Sequence, residues 1–266
     1  MALEPDAVVR PLQAADFLEL PARAAKPRSR GVTHVIDGGL PIVTLESLLD
    51  LGAAHIDFVK FGWGTAYVSR HIRAKVVACR TAGVAVCTGG TLLEIAAAQG
   101  KVEEFRRWAC GLGIDAVEVS EGTVALSSQD KGDLIRRMAQ DFMVLAEVGS
   151  KDPNAPVVPE EWARQMEADL EAGAAFVVAE GRESGTVGLY AANGDVREGL
   201  VEELLSHVPA ERIIFEAPKR TQQTWFLQRI GTDANLGNVA YTDVIGVETL
   251  RRGLRTDTAG WTIPPG

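Results

Sequence analysis

The feature that most constrains this chain is a repeated alternation of two kinds of segment. From Gly31 onward a short, nearly all-apolar run is followed by a stretch with helical spacing of apolar residues, about eight times over. The apolar runs fall at 31–36, 56–60, 84–87, 116–120, 142–147, 174–180, 213–216 and 236–241. The helical stretches fall at 43–51, 69–82, 91–99 with 102–111, 129–140, 160–172, 196–207, 221–230 and 242–253. A strand that is apolar on both faces has to be covered on both, which is the condition of a parallel sheet sheathed by helices. Regular βα alternation then leaves a closed barrel or an open doubly wound sheet. The repeat count and the length of 266 residues favour a single-domain α/β fold, the parallel eight-stranded (βα)8 TIM barrel. The barrel is expected over residues 31–258. An N-terminal arm over 1–30, with one short helix near 14–20, and a Pro- and Gly-rich tail over 259–266 flank it.

Composition removes several function classes. Hydrophobic residues make up 46%, too many for a disordered chain, and no run approaches the roughly twenty apolar residues of a membrane helix. The net charge of −9 argues against a general nucleic-acid binder. It leaves room for a small anionic substrate, because a few focused cations in one cleft override a negative total. Three cysteines without a CxxC or Cys/His spacing read as reduced thiols. The first thirty residues show no apolar signal core. A cytoplasmic protein is expected, with no membrane partner; the sequence allows a homo-oligomer without requiring one.

The ends of the apolar runs carry the chemistry. In a βα barrel the active site is built at the C-terminal strand ends. There the chain places Asp37, Lys60, Glu118 with Ser120, Glu147 with Lys151 beyond it, Glu180 with Arg182 and Glu183, and Glu216. A single charge at a strand end merely marks where the strand leaves the core; carboxylates on several strands can converge on a hard divalent cation such as Mg²⁺. Lys60 and Lys151 are the candidates to neutralise developing charge or to move a proton. Gly89-Gly90-Thr91 opens a helix after the third strand, where backbone N–H groups can approach an anion. Arg251, Arg252 and Arg255 near the C-terminus fit either a solvated helix end or phosphate capture. There is no dinucleotide fingerprint, P-loop or HExxH, and the four histidines are scattered.

Several stretches together resemble the phosphosulfolactate synthase family of coenzyme M biosynthesis. They are Ile56-Asp-Phe-Val-Lys-Phe-Gly-Trp-Gly-Thr65, Gly89-Gly-Thr-Leu-Leu-Glu94, Ala116-Val-Glu-Val-Ser120, Glu147-Val-Gly-Ser-Lys151, Glu180-Gly-Arg-Glu-Ser-Gly185, Phe215-Glu-Ala-Pro218 and Thr249-Leu-Arg-Arg-Gly-Leu-Arg255. The resemblance implies a lyase that adds sulfite to phosphoenolpyruvate with Mg²⁺, giving phosphosulfolactate. It implies Lys151 as the acid that protonates the new centre, with Lys60 holding the anions. It points to Glu118, Glu147 and Glu180 as metal ligands, with Asp37 a fourth. Arg182, Arg252, Arg255 and the Gly89-Gly90-Thr91 turn become the substrate contacts. The chain departs from the family pattern at Asp37-Gly38-Gly39, where the family has Asp-Lys-Gly, and at Cys87-Thr88, where a proline commonly precedes the glycines. The first departure keeps open a related enol-phosphate enzyme with another nucleophile; a non-catalytic stress-related or scaffolding barrel is a separate alternative.

Overall fold

A computed structural model describes residues 17–123, 126–150 and 154–263. Eight parallel strands close into a barrel in chain order, each hydrogen-bonded to the next and β8 returning to β1. The strands are β1 (Thr33–Asp37), β2 (Phe58–Phe61), β3 (Ala85–Thr88), β4 (Ala116–Val119), β5 (Met143–Val148), β6 (Phe176–Ala179), β7 (Ile213–Glu216) and β8 (Asn235–Ala240). The helices are α1 (Ile42–Gly52), α2 (Thr65–Val68), α3 (Ile72–Thr81), α4 (Gly90–Ala98), α5 (Val102–Leu112), α6 (Ser128–Met138), α7 (Pro159–Glu171), α8 (Glu198–His207), α9 (Arg220–Ile230) and α10 (Val244–Arg251). The expected barrel is therefore the observed one. The short helix α2 was not foreseen: its four residues are too few for a helical period to register.

Strand periodicity sorts the side chains into two cores. Successive residues point to opposite faces. Phe58, Ala116, Leu145, Phe176, Val178 and Ile214 pack with Val32 and Cys87 as an apolar plug inside the barrel. The alternate residues, among them Val35, Val59, Val86, Val117, Ala146, Val177 and Phe215, face outward into the layer between sheet and helices. Polar side chains two residues beyond the plug then point into the barrel mouth, above a dry floor.

The opposite, N-terminal end is closed by arginines. Arg251 is fully buried at the end of α10 and donates to the carbonyls of Thr232 (2.6 Å), Ala234 (2.7 Å) and Val32 (3.1 Å), tying the starts of β8 and β1 together. Burial lowers its pKa to about 9, so the guanidinium keeps its proton at neutral pH. Residues 17–30 are non-helical and pack across this end: Arg23 bonds Glu248 at 3.0 Å and Arg28 bonds Asp57 at 3.1 Å. The short helix expected near 14–20 is thus absent at 17–20, and 14–16 lie outside the described residues. In the tail Ala259–Trp261 forms one 3-10 turn, and residues 264–266 lie outside the described residues. No helix among the described residues is long and apolar enough to cross a membrane.

Candidate active site

Lys60 on β2 is the first piece of the site. It stands two residues past Phe58 of the plug, so it points inward, and it is 4% exposed. A buried ammonium is tolerated only when paired. Its Nζ donates to Glu118 Oε1 at 2.8 Å and to Glu216 Oε1 at 3.1 Å. Glu118 stands two residues past Ala116 and Glu216 two past Ile214, by the same parity. Burial would lower the pKa of Lys60, but Glu118, Glu216 and Glu147 together outweigh it and hold the ammonium well above the ordinary lysine range.

Glu147, two past Leu145, completes a trio: Glu118, Glu147 and Glu216 each bring a carboxylate oxygen within 4.8 Å of the others. All three are buried. Burial drives Glu118 up to about 7 against the pull of Lys60, with the charges of Glu147 and Glu216 adding to the rise. Glu180 lies beside them. Burial, then the charges of Glu147 and Glu216 and hydrogen bonds shared with both, hold its carboxyl well above the usual range. Among the described residues, four carboxyl groups thus gather around the Lys60 ammonium. That surplus, in hard oxygen donors at this spacing, fits a divalent cation of the Mg²⁺ type.

The backbone braces the cluster. The N–H of Gly90, the first residue of α4, donates to Glu118 Oε2 at 3.2 Å, so a helix N-terminus faces the carboxylate. A Cβ at Gly90 would lie 2.2 Å from Ser120 Oγ, which is why that turn needs glycine. Glu216 Oε2 accepts from the N–H groups of Gly181 (3.0 Å) and Arg182 (2.9 Å). Beneath, His34 is fully buried; burial and the charge of Lys60 hold it well below the ordinary histidine range, so the ring is neutral. The cavity over the cluster has a volume of about 230 Å³, and Gly89, Gly90, Thr91, Trp63, Arg182 and Asn238 contribute to its wall.

Not every expected residue arrives here. Asp37 is one residue out of phase with the inward Ile36, so it faces the helices. Its Oδ2 accepts from Lys75 Nζ of α3 at 2.6 Å and its Oδ1 from the N–H groups of Gly39 and Leu40. It is a turn-holding residue, and the fourth carboxyl at the cluster is Glu216. Arg252 and Arg255 are also corrected. A helix that follows a strand runs back down the barrel, so the end of α10 lies at the N-terminal end, remote from the mouth; Arg252 acts on His55, just ahead of β2, and Arg255 reaches Gly246. Lys151 lies outside the described residues. Glu216 stood among the strand-end charges without being assigned to the metal; the spacing it shares with Lys60, Glu118 and Glu147, two past an inward apolar residue, groups it with them. Asn235 and Asn238 are legible in the sequence as polar residues flanking the eighth strand, with no role attached to either.

Comparison with known proteins identifies the family. A family model described as (2R)-phospho-3-sulfolactate synthase (ComA) matches residues 21–257. A phosphosulfolactate synthase of Methanothermobacter thermautotrophicus is 42% identical over 255 residues, covering 94% of this chain and 98% of the relative. One of Bacillus subtilis is 41% identical over 247 residues, covering 91% and 98%. Among solved structures, a 3-hexulose-6-phosphate synthase aligns with a TM-score of 0.54 at 16% identity, over 82% of this chain and 97% of that one. A 3-keto-L-gulonate-6-phosphate decarboxylase of Vibrio cholerae aligns at 0.54 and 9%, over 87% and 99%. At those identities the solved structures speak for the barrel alone. The family match and the two relatives span nearly the whole chain, and the chain belongs to the phosphosulfolactate synthase family.

Proposed function

We propose that this chain is a phosphosulfolactate synthase: an enzyme that adds sulfite to phosphoenolpyruvate with the help of Mg²⁺. The observation that carries the reading is the buried trio Glu118, Glu147 and Glu216 at the barrel mouth, in a chain 42% identical to a protein of that name. The reaction joins the sulfur of sulfite to the methylene carbon of the enol phosphate. The double-bond electrons move toward the substrate carboxylate, and a proton then adds to the carbon that bears the phosphate. The C–O–P linkage stays intact.

Each residue has a task that its surroundings support. Glu118, Glu147 and Glu216, with Glu180 beside them, would hold the cation. When bound, that cation supplies positive charge to the substrate carboxylate, where negative charge builds. Lys60 keeps Glu118 and Glu216 together and offsets their repulsion. Arg182, on the cavity wall, is a cation for the incoming anions. Lys151, four residues beyond Glu147 in sequence, is proposed as the proton donor on the family resemblance. A cytoplasmic setting is proposed on the three free cysteines, two of them buried.

Phosphorus-31 NMR tests the reaction. The purified chain with phosphoenolpyruvate, sulfite and Mg²⁺ should replace the enol-phosphate resonance by that of an alkyl phosphate, and omission of any one component should stop it. Folded protein that leaves phosphoenolpyruvate unchanged under all these conditions overturns the reading. Conversion with another nucleophile but not with sulfite would favour the related-enzyme alternative that Gly38 raises.

A further inference from the structure

Three residues other than glycine hold a left-handed backbone among the described residues: Trp63 (φ 52°), Arg182 (φ 55°) and Asn238 (φ 49°). All three line the cavity at the barrel mouth. Such backbone is disfavoured for residues with a Cβ, and it collects where function overrides local comfort.

Asn238 carries a second anomaly. The residue lines the cavity and is 5% exposed, and its Oδ1 is buried with no hydrogen-bond partner among the described residues. Buried polar atoms are normally paired. Asparagine tolerates the left-handed region better than most residues, so conformation explains why leucine does not stand there. It does not explain a polar amide, because glycine meets the same demand with nothing to bury.

Position says what the amide is for. Asn238 follows Gly237, which pairs with Glu216 of β7, and precedes Val239, which pairs with Val35 of β1. In βα barrels the ends of the seventh and eighth strands are a frequent seat for phosphate. An amide can turn its N–H₂ toward an oxyanion by rotation of its terminal torsion, and it does so without adding charge beside the carboxylates. Resting on the function proposed above, we infer that Asn238 is a substrate-binding residue whose amide donates a hydrogen bond to the phosphate of the phosphorylated acid.

The test compares the full-length wild type with Asn238→Gly and Asn238→Asp. Binding is measured by calorimetric titration with phosphoenolpyruvate and Mg²⁺, without sulfite, and in parallel with pyruvate, which keeps the carboxylate and lacks the phosphate. N238G relieves the backbone, so it should melt no lower than wild type, yet bind phosphoenolpyruvate roughly 10-fold or more weakly. N238D should bind more weakly still, because a carboxylate replaces the donor. Pyruvate affinity should stay within about twofold of wild type in N238G, since no phosphate contact is lost. Wild-type affinity for phosphoenolpyruvate in N238G shows a purely conformational role and overturns the inference, and an equal loss for pyruvate overturns the phosphate assignment. A wild type that binds no phosphoenolpyruvate also overturns it. A wild type that binds it but forms no sulfonated product defeats the proposed reaction alone, and the N238G affinity ratio then still decides the role of Asn238.

Discussion

Lys75 and Asp37 meet at 2.6 Å with both side chains buried. The pair joins α3 to the turn after β1, since Asp37 also accepts the N–H groups of Gly39 and Leu40. Removing one partner of such a pair strands the other charge, at a cost of about 3–5 kcal/mol. Lys75→Met should therefore lower the unfolding free energy by about that much in urea titrations. A loss below about 1 kcal/mol would show that the pair is not what holds this corner. Next to it, an added Cβ at Gly38 would meet the Trp63 ring at 3.2 Å. The tryptophan occupies the space through which a longer side chain at 38 would leave the backbone.

At the scale of elements, direction decides which charges reach the site. Arg252 and Arg255 follow α10 to the N-terminal end of the barrel, whereas Arg182 follows β6 directly into the cavity wall. Arg182→Ala should raise the KM for phosphoenolpyruvate roughly 10-fold or more, as loss of a charged contact does. Arg252→Ala and Arg255→Ala should leave it within about twofold. A large KM increase in either of the latter two would restore them to the site. The alternation of β runs and helices was legible because a two-residue and a 3.6-residue period differ strongly over a few turns. Lys60, Glu118 and Glu147 were legible as charges at the C-terminal ends of apolar runs. The two-residue period of a strand, counted from the apolar residues of each run, separates Asp37, outside, from Glu216, inside. What could not be read was anything set by single torsions or by atoms far apart in sequence. The left-handed turn at Asn238, the Lys75–Asp37 pair and the Gly90 N–H on Glu118 all appear only once the barrel has closed.

For the whole molecule, the mouth concentrates negative charge over a dry plug, and stability should register it. Glu118 has its ordinary carboxylate pKa of 4.5 in the unfolded chain and is pushed up to about 7 by burial in the fold. A raised acid makes the folded state bind the extra proton. That stabilisation is complete below pH 4.5 and is lost as pH rises through about 7. Metal-free protein should therefore melt at lower temperature as pH is raised from about 5 to 8, and the slope should be shallower in Glu118→Gln. A bound divalent cation takes over the neutralising role of the proton, so Mg²⁺ should raise the melting temperature more at high pH than at low. Calorimetric scans with a chelator and with Mg²⁺ measure this. An E118Q slope equal to that of wild type would show that Glu118 does not set the effect and would leave it to Glu180, whose carboxyl burial raises likewise, or to the net charge of −9.

The most direct measurement addresses the carboxyl cluster itself. Mn²⁺, a spectroscopic substitute for Mg²⁺, loses its sharp free-ion electron paramagnetic resonance signal when it is bound by protein. Wild-type chain should quench that signal at one equivalent, phosphoenolpyruvate should change the spectrum of the bound ion, and Glu147→Gln, with its fold intact, should bind the ion far more weakly. Folded wild-type protein that leaves the Mn²⁺ signal unquenched, or an E147Q variant that binds as tightly as wild type, would contradict a cation held by Glu118, Glu147 and Glu216.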